Sequence, residues 1–255
     1  MAEAQPLNSE RRSPVGLLGG MLVRPRRTLT YLNDHGRRSW WLPAVLAALF
    51  FVLPLAVGAP VRAEQARQAF LDSRQQIEEQ VGQQMTDEQL QQTMAITASP
   101  LITLVFPALG GVVGMAIGWL VYAGGLYLAG LALGGRSTFA GMFRMVVWTW
   151  LPYAVRGLFR TLYTVASGEV VVNEGLAGFV EGPGVGPLVL KGLLGKVDVF
   201  LLWHLALLVT GVTVVTHLSG RKALLITLGL WLLMTALGLL PVVIGGVFAQ
   251  QVGGF

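Results

Sequence analysis

No charged residue occurs between Pro100 and Gly135. A stretch of that kind has few places to go. Only 12% of the 255 residues are charged and 54% are hydrophobic, against about 25% charged in average globular chains. A soluble core in a chain this short cannot hide so much apolar sequence, so lipid must solvate part of it. Within the stretch, Gly110, Gly114 and Gly118 recur four residues apart. On a helix they share one face, the small-xxx-small pattern that lets backbones approach closely in a bilayer. They are the expected helix-packing glycines. The chain has no cysteine, which removes disulfides, thiolate metal sites and cysteine nucleophiles.

The pattern along the chain predicts an all-α, polytopic membrane helix bundle. Residues 1–38 read as a basic cytoplasmic or interfacial arm, disordered over 1–13. From Pro14 to Leu32 apolar groups alternate with arginines. Leu17, Leu18, Met21 and Leu22 are expected to face inward from the headgroup layer, and Pro25 to break any helix. Residues 39–250 read as the membrane domain. Its first span is expected over Ser39–Ala59, opened by the interfacial Trp40 and Trp41 and kinked at Pro54. A Gln-rich external insert, 61–99, reads as two short helices. Gly82 ends the first, and Thr86-Asp87-Glu88-Gln89 starts the second as a capping box. Pro100 to Leu133 is 34 residues, ~51 Å as a straight helix. A bend at Pro107, with strong tilt or an interfacial first turn, is the expectation. A third span, Met142–Ser167, carries Arg144, Arg156 and Arg160. An arginine at mid-span costs about 2.5–3.5 kcal/mol on insertion scales. A Gly-rich external loop follows, with a short surface helix over Pro187–Lys196. The last spans are expected at Val197–Leu218 and Ala223–Phe248.

Arginine distribution orients the chain. Seven of the 18 basic residues precede the first span. A cytoplasmic N-terminus with five spans adds Arg136, Arg144, Arg221 and Lys222 inside. It leaves Arg62, Arg67, Arg74, Lys191 and Lys196 outside, as the positive-inside rule requires. If the third segment does not cross, Arg156 and Arg160 join the inside tally and the rule is equally satisfied. The basic arm reads as an orientation signal facing anionic lipid rather than a nucleic-acid contact.

Several short pieces occur in a definite order: Arg24-Pro25-Arg26, Gly134-Gly135-Arg136-Ser137-Thr138-Phe139, Leu151-Pro152, and Asp198-Val199-Phe200-Leu201-Leu202-Trp203. In this the chain resembles the Yip (Ypt/Rab-interacting protein) membrane-domain family, specifically its bacterial branch. The resemblance implies five transmembrane helices, a cytoplasmic N-terminus and an external C-terminus in the bacterial plasma (inner) membrane. Eukaryotic members, associated with Rab GTPases, have a longer acidic arm. This arm is short and basic, so Rab binding is not carried over.

Four residues form a candidate intramembrane polar site: Arg156, Arg160, Asp198 and His204. Asp198 is the only carboxylate at the edge of an apolar span, so an interhelical pair with Arg160 or Arg156 is expected. The structural reading of these arginines, pairing plus snorkelling, is favoured over an anion or lipid-headgroup site. His204 reads as a hydrogen-bonded packing residue, since His35 and His217 fall on the other side of the membrane. Ser137 and Ser167 lack a His/Asp partner set, so no catalytic, cofactor or metal residue is assigned. The function that follows is a non-enzymatic scaffold or organiser of lipid and protein partners, possible homo-oligomerisation included. The alternative is a small transporter or lipid-handling protein with an anionic-substrate site at Arg156 and Arg160. An intramembrane enzyme would need paired titratable groups.

Overall fold

The computed structural model describes residues 13–36, 39–81, 86–182 and 184–252. Among the described residues every regular element is a helix. Residue 82, the expected end of the first insert helix, lies outside them, as do residues 1–12.

Prolines set where these helices begin and bend. Helices α1 (Pro14–Val23) and α2 (Pro25–His35) each open on a proline, at the position where a missing N–H is harmless. Helix α3 (Trp41–Val57) contains Pro54, which cannot donate to the Phe50 carbonyl. At Gly58 the chain turns by 53° into α4 (Ala59–Val81). Helix α5 (Asp87–Thr97) starts with the expected box: Gln89 N donates to Thr86 Oγ1 and Thr86 N to Gln89 Oε1. A π-helical turn, Leu101–Val105, then leads into α6 (Phe106–Ala132). The widened turn accommodates the ring of Pro107, which would otherwise clash with the carbonyl one turn back. Helices α7 (Phe139–Thr149), α8 (Leu151–Ser167), α9 (Val185–Leu194), α10 (Val199–Thr216) and α11 (Gly220–Val252) complete the chain.

Among the described residues three helices are long and apolar enough to cross a bilayer: the continuous run Glu88–Ala132, α10, and Gly220–Gly246 within α11. Helix α3 joined to the start of α4 makes a fourth, bent candidate. The expected third span is not one helix. It breaks at Trp150 into α7 and α8, because Pro152 cannot continue the α7 hydrogen-bond ladder. Neither piece is among the helices of crossing length.

The centre of the molecule is this broken unit rather than the glycine-rich α6. Met142, Val146, Val147 and Trp148 of α7 have no exposed surface. They pack with Leu126 of α6 and Leu208 and Val212 of α10 in one core. Part of the arm belongs to that core too. Leu17, Met21, Leu29 and Leu32 are buried, and Arg144 Nη1 donates to Leu32 O at 2.8 Å at the end of α2. Leu22, expected inward, is 53% exposed, since only the i, i+4 pair Leu17 and Met21 shares the protein-facing stripe.

Contacts sort the helix ends into two groups. At one end Arg136 N donates to Thr216 O and Lys222 Nζ to Leu133 O. Here the α6–α7 and α10–α11 turns meet. At the other end Gly58 abuts Val170, Leu176 N donates to Leu194 O, and Gly246 abuts Val185.

The expected glycine seam is displaced. A Cβ added at Gly110, Gly114 or Gly118 would meet nothing within 4 Å, whereas at Gly111 it would strike the Phe51 ring. Gly125 approaches Leu230, and Gly211 approaches Met145. The tightest approach is at Gly157 on α8, which lies against the Phe50 carbonyl of α3. That is the carbonyl Pro54 leaves without its helical donor. Helices α3 and α8 share the most extensive pairing in the bundle, and Gly157 permits it. Gly157→Ala is therefore expected to destabilise the folded chain by about 1–3 kcal/mol through overpacking. Gly114→Ala should be neutral or stabilising, by up to about 1 kcal/mol from helix propensity. Melting temperatures of the two variants in detergent check the contrast; equal losses would contradict the displaced seam.

Candidate functional site

Arg156 and Arg160 are four residues apart on α8 and so share a face. Two carboxylates reach them from different parts of the chain. Asp198 caps α10: its Oδ1 accepts from Leu201 N at 2.8 Å, which satisfies one of the orphan donors of that helix. The other oxygen, Oδ2, lies 3.0 Å from Arg156 Nε. Glu174 comes from the loop after α8. Gly168 ends α8 with φ 72°, and Gly175 adopts φ 53° beside the carbonyls of Leu194, Gly195 and Val197. Both conformations favour glycine, and together they fold the loop back under α8. Glu174 Oε2 then sits 3.0 Å from Arg156 Nη2, and Oε1 closes on Arg160 Nη2.

The cluster holds two cations and two anions. Arg156 and Asp198 are the most enclosed, at 17% and 14% side-chain exposure. In such surroundings each charge depends on its partner, because an unmatched charge there is far costlier than in water. The Asp198 partner is Arg156, while Arg160 turns to Glu174.

His204, two turns deeper on α10, is 2% exposed. It does not join the ion pairs. Its Nδ1 donates to Thr149 O at 2.6 Å. That carbonyl is spare for a specific reason: Tyr153 N, its partner in a continuous helix, bonds to Trp150 O instead. The ring meets Trp150 edge-on at 5.1 Å and Tyr153 at a tilt, 4.9 Å between centroids. His204 thus fastens the break between α7 and α8.

Two cavities flank the cluster and share a wall of Trp150, Tyr153, Arg156 and Glu174. One, of about 370 Å³, lies between α3, α6 and α8 and is also lined by Arg62 and Arg160. The other, of about 590 Å³, lies among α6, α8, α10 and α11, and Gly114, Gly118, His204 and Lys196 line it. Two of the three row glycines therefore border open space.

Residues 19–249 match the family described as the Yip1 domain. This chain belongs to the Yip1 domain family. With its apolar helices the Yip1 domain makes it a multi-span integral membrane protein in contact with the lipid bilayer. No curated protein and no solved structure matches it. Among the described residues of this Yip1 domain, no group of three or more metal-ligating side chains is assembled.

Sequence reasoning missed two members of the site. Glu174 sits in a Gly-rich loop without periodicity, and Arg62 looked like one more charge in a solvated insert. One signal was available for Glu174. Two arginines on one helix face call for two carboxylates, and few acidic residues lie close enough to supply the second.

Within this Yip1 domain Arg156 is the hub of the cluster. Arg156→Met is expected to cost about 3 kcal/mol by stranding Asp198. Asp198→Asn keeps an oxygen for the cap and removes the charge, so Arg156→Met/Asp198→Asn should recover most of that loss. Chemical or thermal unfolding in detergent measures both. A double variant as unstable as Arg156→Met alone would count against the pairing.

Proposed function

We propose that the chain is a non-enzymatic membrane organiser of the bacterial plasma membrane. It crosses five times, with the N-terminus cytoplasmic and the C-terminus external. The crossings are α3, α6, the broken α7–α8 unit, α10 and α11. Phe139–Ser167 is roughly 43 Å of helix at 1.5 Å per residue, enough for a ~30 Å hydrocarbon core even when bent. The alternation of helix ends between the two groups supports five passes. Charge supports the orientation. Arg24, Arg26, Arg27, Arg136, Arg144, Arg221 and Lys222 gather at the end where α1 and α2 dock, which is the cytoplasmic one by the positive-inside rule.

One observation carries the organiser reading. The α4–α5 arm packs on itself and on the turn at its root, while Arg156 and Arg160 inside the bundle are matched by Glu174 and Asp198. The protein thus offers an external arm, with Leu71 and Ile96 exposed, on a base that is internally fastened. Anion handling at Arg156 and Arg160 is the second reading. Their place in the cavity walls favours it, and their ion pairs with Glu174 and Asp198 weigh against a free anion seat.

The absence of native cysteine makes the topology directly testable. In intact cells, Glu169→Cys is expected to react with a membrane-impermeant maleimide, and Ser219→Cys only after permeabilisation. Equal reactivity of the two would remove the five-crossing arrangement. A photo-crosslinking residue at Gln92 in α5 is expected to capture a protein chain in the same cells. Capture of lipid alone would overturn the organiser role and leave the topology standing.

A further inference from the structure

The smaller cavity has a lopsided composition. Its floor is apolar, formed by Ala47, Phe50, Phe51 and Met115. Its mouth carries three guanidinium groups, Arg62, Arg156 and Arg160. Glu174 and Asp198 neutralise the two on α8. Arg62 is different. Its Nη2 donates to Pro54 O and Leu55 O, the carbonyls at the end of α3. Those bonds fix the group but do not cancel its charge. Its Nε is buried without an acceptor. A guanidinium held only by carbonyls keeps its full positive charge, and an anion from elsewhere is its natural match.

We propose that this cavity binds a lipid with an anionic phosphate headgroup. The phosphate sits at Arg62 on the rim, and the first part of an acyl chain lies on the Phe50, Phe51 and Met115 floor. Four observations converge on that ligand. Among the described residues no carboxylate pairs with Arg62, and that positive charge disfavours a zwitterionic headgroup whose ammonium would be repelled. Arg62 stands just beyond the end of α3, on its last carbonyls, which is headgroup depth when α3 is a crossing. The 53° turn at Gly58 puts Arg62 at the lip of the cavity rather than out along α4. The volume of about 370 Å³ falls within the usual size of small-molecule sites, and an apolar lining with a few placed polar groups is their usual make-up. Glu174 locks Arg156 and Arg160, so the site uses the arginine that the ion-pair cluster leaves over. The inference is independent of the organiser role; it rests on α3 being a crossing of the proposed topology.

Melting of the purified full chain in a neutral detergent tests it, with phosphatidylglycerol, phosphatidylcholine or inorganic phosphate added. Phosphatidylglycerol is expected to raise the melting temperature saturably, with an apparent affinity roughly tenfold above that of phosphatidylcholine, as one charge-assisted contact implies. Inorganic phosphate alone should leave it unchanged. Arg62→Gln should abolish the difference between the two lipids, and Arg26→Gln/Arg27→Gln in the basic arm should preserve it. If Arg62→Gln does not fold, Met115→Phe decides: filling the floor should weaken phosphatidylglycerol without changing any charge. Equal effects of the two lipids, an equal effect of inorganic phosphate, or full phosphatidylglycerol stabilisation in the variant that folds would each overturn the proposal.

Discussion

A broken helix in lipid must hand its freed carbonyls to a neighbour, since no water is there to take them. Two of the chain's prolines, Pro54 and Pro152, show how that condition is met. Pro54 deprives Phe50 O of its donor, and Gly157 on α8 lets that carbonyl lie directly against a neighbouring backbone. Pro152 ends the α7 ladder, Tyr153 N shifts to Trp150 O, and the stranded Thr149 O receives His204. Each proline is matched to a residue on another helix, a glycine in one case and a histidine in the other. The matches bind α3 to α8 and α10 to the α7–α8 break. Side-chain identity at Gly157 and His204 is thus dictated by backbone chemistry elsewhere in the chain.

The same condition accounts for where the open space lies. Beyond its exposed start at Phe139 and Ala140, helix α7 is enclosed by α6, α10, α2 and α3. Past the break, α8 leaves that packed axis and leans on α3. The divergence opens gaps on both sides of Tyr153 and Arg156, and those gaps are the two cavities. Gly114 and Gly118 border the larger one because α6 continues straight where α8 turns away. Their missing side chains add to a void instead of closing a seam.

Much of this was legible in the residues. The crossing-length helices α10 and α11, the Thr86–Gln89 capping box and the place of Asp198 at the head of α10 all follow from local rules. Local rules end where one segment must meet another. A four-residue glycine row defines a helix face, but the face that packs is chosen by the neighbour. Phe51 selects Gly111, one position from the row. The role of Glu174 depends on two left-handed glycines that fold a loop back on itself, and a composition count sees only a polar connector. The break at Trp150 was visible in Pro152. A proline so near a possible first turn is, however, equally consistent with one uninterrupted helix.

The arginines of α8 show why hydropathy understates this segment. Taken alone, Arg156 and Arg160 together cost about 5–7 kcal/mol at mid-span on insertion scales. Nearby Leu, Val and Phe residues each return only a few tenths. The carboxylates that offset the cost, Glu174 and Asp198, both follow α8 in the chain. In the proposed five-crossing arrangement, α8 becomes favourable in lipid only after the loop and the head of α10 have arrived. Its stability belongs to the assembled bundle, and so does the cluster. A scale that scores segments one at a time is bound to rank α8 below the helices around it, although the core is built on its continuation, α7.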